Sequence, residues 1–337
     1  MSKVKPPLVR LSELAAGQSG DFYALLTERT RGARKDGKPF YICRFRDASR
    51  TATGMIWSDG NWFANCDCDW RVGQFFKIRG VYQENSKYGP QIEFANVRMV
   101  KDEDRADGFD PRHFVESTRY DVEAMFQELL TIAESQIDDV PLRRLVMTIL
   151  DRRKAQLMQA PATLKHFFSF AGGLLEHVLS VTHTCIHLAD KYVAHYPDLQ
   201  PPLNRDLVVA GAILHDIGRT IEFNEDVMNV QPTTAGRLFG HLLLGRDLVR
   251  DTACELGDVN PELVLMLEHI VITHLSLPEW GSPRLPLIPE CLIIHHADDL
   301  DAKLEMYTRC LSRDKELGDF TARDPVLGRQ LLKGRKV

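Results

Sequence analysis

The feature that most constrains this chain is an apolar run interrupted by an ionisable pair. In the stretch 211–219 (GAILHDIGR), His215 and Asp216 stand side by side among apolar residues, and Arg219 follows them. Burying an imidazole beside a carboxylate is costly unless something compensates, and a divalent metal ion suits this pair of donors. The stretch therefore predicts the centre of a metal site.

Histidines and charges are distributed unevenly along the chain. Eleven of the twelve histidines lie between residues 160 and 300. Residues 1–100 carry 16 Lys and Arg against 10 Asp and Glu, whereas the remainder carries 26 against 37. This asymmetry favours a polyanion-binding domain joined to a cation-binding domain. An ordinary solvated surface is the alternative that charge alone leaves open.

Length and composition place the chain among globular proteins of two domains, since 337 residues exceed one ordinary core. No stretch approaches the roughly 20 apolar residues of a membrane helix. The amino terminus has no apolar run behind its charges, and the seven cysteines show no paired spacing. We therefore expect a cytoplasmic protein with reduced thiols and no membrane segment.

The first hundred residues show the pattern of short strands. Five strand-like segments are expected at 22–26, 40–47, 51–57, 73–82 and 91–98. A short helix is expected near Asn61, between the third and fourth strands. This arrangement resembles the OB-fold barrel, whose face commonly holds single-stranded nucleic acid. We assign residues 12–100 to this domain.

Aromatic and cationic side chains interleave along these strands and predict a face that binds single-stranded RNA or DNA. Rings would stack on bases and cations would contact phosphates. The substrate-binding candidates are Tyr41, Arg44, Arg46 and Lys77, with Phe45, Trp57, Phe76, Tyr82 and Arg79 beside them. The alternative for each ring is a place in the barrel core.

The rest of the chain predicts an all-α architecture. The segment 101–118 is charged and lacks periodicity, so we interpret it as a linker, and residues 119–158 predict connecting helices. Residues 159–312 predict a helical bundle with main helices at 172–189, 205–217, 233–256, 262–274 and 289–307. The polar stretch 313–337 predicts a frayed tail, with a basic tail near substrate as the alternative. The fold class is thus multidomain, a β-barrel followed by helices.

Ionisable residues recur along these helices where an apolar face would otherwise continue. Each lies on a separate helix or helix edge, so a bundle can direct all of them to one centre. Four imidazoles and two carboxylates are enough for two metal ions, with the middle carboxylate as a bridge. The set is His177, His215, Asp216, His241, His274 and Asp298.

The order of these residues resembles that of the HD-domain phosphohydrolases. Longer phrases resemble one branch, the bacterial YhaM-like 3′→5′ exoribonucleases, which place an OB-fold before the HD domain. The resemblance covers nearly the whole chain, including the domain order. The phrases are GGLLEH (172–177), AILHDIG (212–218), TAGRLFGH (234–241), EWGSP (279–283) and ADDLDAK (297–303).

The resemblance implies a metal-dependent 3′→5′ exoribonuclease that hydrolyses single-stranded RNA, or also single-stranded DNA, to nucleoside monophosphates through metal-activated water. It implies two divalent ions, with manganese expected first and iron, cobalt, nickel, zinc or magnesium as alternatives. His241 and His274 would complete a second site beside the core ligands, which are His177, His215, Asp216 and Asp298.

Catalytic roles are expected for Asp216 and for Arg219, which would neutralise charge on the phosphate. His269 is a candidate substrate contact, although it lies five residues before His274 and so on another side of the helix. Two departures from the family pattern stand out. Leu275 replaces a frequent second histidine, and Arg219 replaces a common lysine.

Two rival functions stay open at this point. One is an HD phosphohydrolase of free or cyclic nucleotides, and the other is a nucleic-acid-binding protein with weakened catalysis. The cyclic-dinucleotide class carries Gly-Tyr-Pro where this chain has Gly281-Ser282-Pro283, which argues against that class. The sequence leaves the choice between RNA and DNA, and the oligomeric state, undetermined.

Overall fold

The computed structural model describes residues 8–34, 36–85, 88–226 and 229–334. The features expected of the first seven residues and of the last three lie outside these ranges. The chain forms two compact units, Met1–Glu116 and Ser117–Val337. Among the described residues, no helix combines the length and apolar character that crossing a bilayer requires.

The first unit contains a closed five-stranded barrel. Its strand order is β1-β2-β3-β5-β4, with β3 parallel to β5 and the other neighbours antiparallel. This order, with a helix between β3 and β4, confirms the predicted OB-like barrel. The elements are β1 (Ser19–Ala33), β2 (Pro39–Arg46), β3 (Thr51–Trp57), α1 (Phe63–Cys68), β4 (Phe75–Asn85) and β5 (Gly89–Met99).

Strand β2 shows how the barrel sorts its side chains. Successive residues of a strand point to opposite faces, so Tyr41, Cys43 and Phe45 are buried while Arg44 and Arg46 are exposed. The same alternation along β4 buries Phe76 and Tyr82, whereas β1 is buried continuously from Gly20 to Leu26 and adds Phe22 to the core.

The segment 101–118 is not the free linker that its lack of periodicity predicts. Two single-turn 3-10 helices lie in it, Asp102–Arg105 and Pro111–Phe114. The Asp104 carboxylate is buried and accepts two hydrogen bonds from Arg98 on β5, both at 2.7 Å. These anchors are single residues rather than a periodic face, so periodicity does not reveal them.

The second unit is built of helices, and the predicted ones are confirmed. A single-turn helix, α6, follows Asp216 in addition to them. The elements are α2 (Val122–Gln136), α3 (Val140–Gln159), α4 (Gly173–His195), α5 (Arg205–Leu214), α6 (Arg219–Glu222), α7 (Thr234–Leu256), α8 (Pro261–Thr273) and α9 (Pro289–Arg313), with a 3-10 turn at Pro278–Trp280.

Helix α5 is the centre of this unit. Every residue from Leu207 to Leu214 is buried, and the helix packs against α2, α3, α4, α8 and α9. A helix that is apolar all round must be enclosed in this way. Asn204 caps its start by accepting the Leu207 N–H at 2.9 Å. The carboxy-terminal end of α5, at Leu214, lies inside the bundle. The two residues that follow it, His215 and Asp216, are therefore buried as well.

The carboxy-terminal stretch is not the frayed tail that its polar composition predicts. Phe320 and Leu332 form a β-bridge. Thr321 is fully buried, and its hydroxyl accepts the Leu331 N–H at 3.0 Å and donates to the Ala322 carbonyl at 2.7 Å. One buried hydroxyl with both partners thus orders a stretch that has no apolar face.

Candidate metal centre

The structure brings the six predicted metal ligands together at the end of α5. Five are buried, and the side chain of His241 is 11% exposed. They form two groups that share Asp216. In each group the candidate ligand atoms lie within 4.8 Å of one another; the groups are His177, His215 and Asp216, and Asp216, His241 and His274.

In the first group, backbone and side-chain contacts fix which ring nitrogen faces the centre. The Ala212 carbonyl only accepts, so the Nδ1 of His215, 2.7 Å away, carries a proton and donates it. The Nε2 of His215 therefore holds a lone pair, and it lies 3.4 Å from the Nε2 of His177. The Nε2 of His177 lies 3.1 Å from Asp298 Oδ1, which adds a second carboxylate.

The second group is arranged by the same rule. The Nδ1 of His274 donates to the Val271 carbonyl at 2.9 Å, which leaves its Nε2 as the free ligand atom. Asp216 Oδ1 lies 3.6 Å from this Nε2 and 3.3 Å from the Nε2 of His241. Two imidazoles therefore face one carboxylate oxygen.

Three buried atoms of the second group have no hydrogen-bond partner among the described residues: Asp216 Oδ1, His241 Nε2 and His274 Nε2. Each such atom costs roughly 1–3 kcal/mol. A divalent cation would satisfy all three at once, and mixed imidazole and carboxylate ligands suit first-row transition metals. The residues present therefore fit a metal ion.

Charge around Asp216 also suits a cation. Burial lowers the pKa of His215 to about 4, and burial together with Arg219 lowers the pKa of His241. Burial acts to raise the pKa of Asp216, but Arg219 and His241 hold it well below its usual range. At neutral pH His215 and His241 are thus neutral and Asp216 is ionised, which are the protonation states that bind metal.

His177 differs because two carboxylates flank it. Burial alone would lower its pKa, but hydrogen bonds to Asp298 and Asp301 raise the pKa of His177 to about 10. Burial acts to raise the pKa of Asp298, and the hydrogen bond with His177 lowers it. In the absence of metal, the ring therefore carries a proton towards each carboxylate. Coordination of metal by Nε2 would release one of them.

Asp301 is a functional candidate that the sequence pattern did not single out. Its Oδ2 accepts from the Nδ1 of His177 at 2.8 Å, and its Oδ1 accepts from the Ser180 hydroxyl at 2.5 Å. Residues three apart share a helix face, so the spacing of Asp298 and Asp301 on α9 held this information. Asp299 instead pairs with Lys303 at 2.6 Å.

Arg219 is tied to two carboxylates. Its Nε donates to Asp216 Oδ2 and its Nη1 donates to Glu222 Oε2, both at 3.0 Å. Glu222 also lies 3.7 Å from the Nδ1 of His241. Arg219 thus orients Asp216 so that Oδ1 faces the histidines, while its Nη2 takes part in neither bond. Glu222 was not predicted, although it follows Arg219 by three residues on α6.

Gly218 allows α7 to reach the centre. A Cβ at this position would lie 1.9 Å from the His241 carbonyl oxygen and 2.6 Å from the Gly245 nitrogen. Both are backbone atoms of α7 that cannot give way as a flexible side chain can. The close approach of the turn after α5 therefore requires glycine.

His269 does not join the cluster. It lies on α8 five residues before His274, and its Nε2 accepts the Leu287 N–H at 3.0 Å. Burial lowers the pKa of His269, so the ring is neutral and its lone pair is available for this bond. The structure thus gives His269 a contact with the loop before α9, and its role as a substrate contact stays a prediction.

Two of the predicted substrate-binding residues in the barrel are engaged elsewhere. Tyr41 is 5% exposed, and its hydroxyl donates to Asp67 Oδ1 at 2.5 Å. Lys77 pairs with Asp104 at 3.1 Å and with Asp107 at 2.8 Å, and its side chain is 14% exposed. Strand alternation buries the first, and the folded segment 101–116 neutralises the second. Neither residue presents a free ring or a free cation to single-stranded nucleic acid.

Other predicted residues of the barrel stay accessible. Arg44 and Arg46 are exposed on β2, and Arg44 pairs with Glu28 at 3.0 Å. Trp57 is 38% exposed, and the Arg34 guanidinium lies 4.1 Å above its ring. The remaining candidate rings, Phe45, Phe76 and Tyr82, are buried.

Comparison with known proteins agrees with the geometry of the centre. The family model of the HD domain matches residues 174–303, which include all six candidate ligands. This part of the chain is an HD domain. Three proteins from strains of Listeria monocytogenes, each named 3'-5' exoribonuclease YhaM, resemble the chain beyond the HD domain. Each is 29% identical over 314 residues, which cover 93% of this chain and 94% of the relative.

These matches confirm the family resemblance that the motifs predict. A solved structure, the second OB-fold domain of replication protein A from Methanococcus maripaludis, covers 28% of this chain and 95% of its own, with 19% identity and a TM-score of 0.22. The OB-like nature of the barrel rests on its own strand order, and the HD domain on its ligands and family match.

Proposed function

We propose that this protein is a metal-dependent 3′→5′ exoribonuclease that degrades single-stranded RNA to nucleoside monophosphates. The observation that carries the proposal is the pair of ligand groups sharing Asp216, with three buried ligand atoms left unsatisfied by the described residues. Similarity to proteins named as 3'-5' exoribonucleases, over 93% of this chain, supports RNA as the substrate.

The donor set supports two divalent metal ions, with manganese as the first choice and iron, cobalt, nickel, zinc or magnesium as alternatives. One ion would be held by His177, His215, Asp216 and Asp298. The other would be held by Asp216, His241 and His274. When bound, such ions neutralise charge on phosphate oxygens and lower the pKa of water to near neutrality.

The surrounding residues of the chain position this centre. Asp301 holds the ring of His177, and Arg219 fixes the direction of Asp216. The Arg219 Nη2, which neither carboxylate engages, is the group we propose to face the phosphate and neutralise its developing charge. Arginine serves this purpose as well as the more frequent lysine, with a planar group in place of a point charge.

We propose that the barrel binds the strand upstream of the cleaved nucleotide. Arg44 and Arg46 supply exposed cations, and Trp57 supplies an exposed ring. Cations that track phosphates and a ring that stacks on bases bind single strands with little sequence preference. Single-stranded DNA offers the same groups and is the second substrate to be assayed.

The test of this function is incubation of 5′-labelled single-stranded RNA with the full chain and manganese, beside the Asp216→Ala variant. A ladder that shortens from the 3′ end with the native chain, and no shortening with the variant, is the expected result. Binding without shortening in any of the divalent metals named above would favour the weakened, RNA-binding alternative.

A chain that starts at Ser117 separates an exonuclease from a hydrolase of free nucleotides. This truncation removes the first compact unit up to its boundary at Glu116. A cut earlier in the segment 101–116 would leave part of a folded segment on the truncated chain. An exonuclease that uses the barrel to bind its substrate loses much of its activity on long RNA and less on very short oligonucleotides. A hydrolase of free or cyclic nucleotides shows unchanged activity.

A further inference from the structure

A cavity of about 300 Å³ lies beside the metal centre and has no part in the chemistry described above. His241 lines it, together with two aromatic side chains, Phe239 and Trp280. These rings are 56% and 48% exposed. Single exposed apolar residues are ordinary on protein surfaces. Two aromatic rings that share one cavity with a candidate metal ligand call for a specific explanation.

The local backbone explains how Phe239 and His241 come to line the same cavity. In a regular helix, residues two apart point about 200° away from each other. Helix α7 is broken at Gly240, whose φ of 68° and ψ of 167° are not helical. A positive φ is accessible to glycine at little cost. The break therefore turns the ring and the imidazole towards one space.

Trp280 is connected to the metal centre through His295 on α9. Its ring lies 6.1 Å from the ring of His295. The Nδ1 of His295 donates to the backbone carbonyl of His274 at 2.8 Å. The position of Trp280 is therefore tied to the end of α8 that carries a candidate ligand. This gives a physical role to the EWGSP phrase, which the chemistry of the centre does not use.

The lining of the cavity suits a flat, apolar and aromatic group. Besides the two rings it contains Leu242, Leu243 and Pro283. Leu242 is 7% exposed and forms the apolar floor of the cavity. Stacking of a nucleobase on an aromatic ring contributes roughly 1–3 kcal/mol per base and accepts every base. A nuclease that removes successive nucleotides requires such tolerance at its terminal position.

We infer that Phe239 and Trp280 form a subsite for the base of the 3′-terminal nucleotide. The inference rests on the proposed exoribonuclease function. His241 borders this cavity and also lies 3.3 Å from Asp216. A strand whose last phosphodiester reaches Asp216 therefore has its last base within reach of the two rings. The subsite sets the position of the strand end, and the metal centre cleaves beside it.

The first test measures stacking without turnover. The probe is RNA with 2-aminopurine as its 3′-terminal base and a methylene group replacing the bridging oxygen of the last linkage, bound in manganese. The native chain should quench the probe fluorescence, and the Phe239→Ala, Trp280→Ala double variant should not. Leu238→Ala is the matched control, since Leu238 is 70% exposed, precedes Phe239 and does not line the cavity.

Equal quenching by the native chain and the double variant would overturn the inference, as would absence of quenching by the native chain. The control variant should quench like the native chain. Thermal unfolding of each variant verifies that it folds. This readout needs no cleavage, so it tests the subsite even if the proposed function fails.

The second test compares cleavage of RNA that ends in an ordinary nucleotide with RNA that ends in an abasic one. The native chain should cleave the abasic end about 10-fold more slowly, and Trp280→Ala should slow only the ordinary end. Additive effects of the two changes would contradict the subsite. Failure of the native chain to shorten any RNA would contradict the proposed function instead.

Discussion

The barrel and the HD domain treat their polar side chains in opposite ways. In the barrel, cations that looked available for nucleic acid are paired within the fold. Arg79 makes two bonds to Asp21, at 2.6 and 2.7 Å, and Lys77 pairs with Asp104. In the HD domain, buried ligand atoms around Asp216 are left without partners among the described residues. Buried polar atoms normally find partners. Single exceptions occur in both units, at Arg34 and Thr252 for example, whereas Asp216, His241 and His274 place three of them within one cluster, and this clustering marks a function.

The largest effect is expected from Asp216→Ala, because both ligand groups lose their shared carboxylate. We predict a loss of RNA shortening of about 1000-fold or more, as for groups that act as one catalytic unit. The assay is the initial rate on 5′-labelled RNA in manganese. Glu128→Ala is the control, since it removes an exposed carboxylate 2.9 Å from His183. Equal losses in both variants would erase the distinction between the centre and an ordinary ion pair.

Asp301→Asn is expected to weaken metal binding by about 10- to 100-fold, because the carboxylate that holds the Nδ1 of His177 is lost. Isothermal titration calorimetry with manganese measures the metal affinity directly. Asp299→Asn is the matched control on the same helix, since Asp299 pairs with Lys303. Unchanged metal affinity in Asp301→Asn would show that the orientation of His177 does not depend on Asp301.

In the barrel, Asp104→Asn should lower stability rather than metal binding. The buried carboxylate accepts from Arg98 and Lys77, and hydrogen bonds to charged groups contribute about 1.5–3 kcal/mol. We expect a loss of about 2 kcal/mol in the free energy of unfolding, measured by urea denaturation. An equal loss in manganese affinity would show that the barrel and the centre are not independent.

The same carboxylate predicts an acid-sensitive barrel. The hydrogen bonds from Arg98 hold the pKa of Asp104 well below its usual range, although burial opposes them. In the unfolded chain the carboxyl titrates near pH 4. Its stabilising contribution is therefore complete above that pH and is lost as the pH falls towards the folded-state pKa. Unfolding of Asp104→Asn should depend less on pH between roughly 2 and 4 than that of the native chain.

The smallest expected effect concerns the exposed ring of the barrel. Trp57→Ala should weaken binding of single-stranded RNA about fivefold, which is the lower end of base stacking on an aromatic side chain. Fluorescence anisotropy of a labelled oligonucleotide measures the affinity. Tyr41→Phe should bind normally, because the hydroxyl of Tyr41 is bonded to Asp67 inside the fold. A larger loss for Tyr41→Phe would place the binding face on the buried side.

The sequence predicts much of the fold and much of the candidate ligand set, and the reason differs between the two. Apolar periodicity reveals helices and strands because they bury continuous faces. The candidate ligands His177 and Asp298 are recognisable because ionisable residues interrupt such faces. Only the family phrase distinguishes Asp298 from its neighbours Asp299 and Asp301 in the sequence, although the three-residue spacing of Asp298 and Asp301 already places these two on one helix face. Strand alternation likewise places Tyr41 on the same face as buried Phe45, which agrees with the alternative of a core position for both rings.

Other features have no periodic signal. The segment around Asp104 is anchored by one carboxylate, and the stretch around Thr321 by one hydroxyl. The break in α7 depends on a single φ angle at Gly240. Such anchors depend on partners that are distant in sequence, so they become visible only when the tertiary structure brings the partners together.

The central claim is that Asp216 is shared by two metal ions, and metal counting tests it most directly. Equilibrium dialysis against manganese followed by elemental analysis should give two ions per native chain. It should give one for His177→Ala and one for His241→Ala, and fewer than one for Asp216→Ala. A native chain that binds one ion or none, or an Asp216→Ala variant that still binds two, would contradict the account.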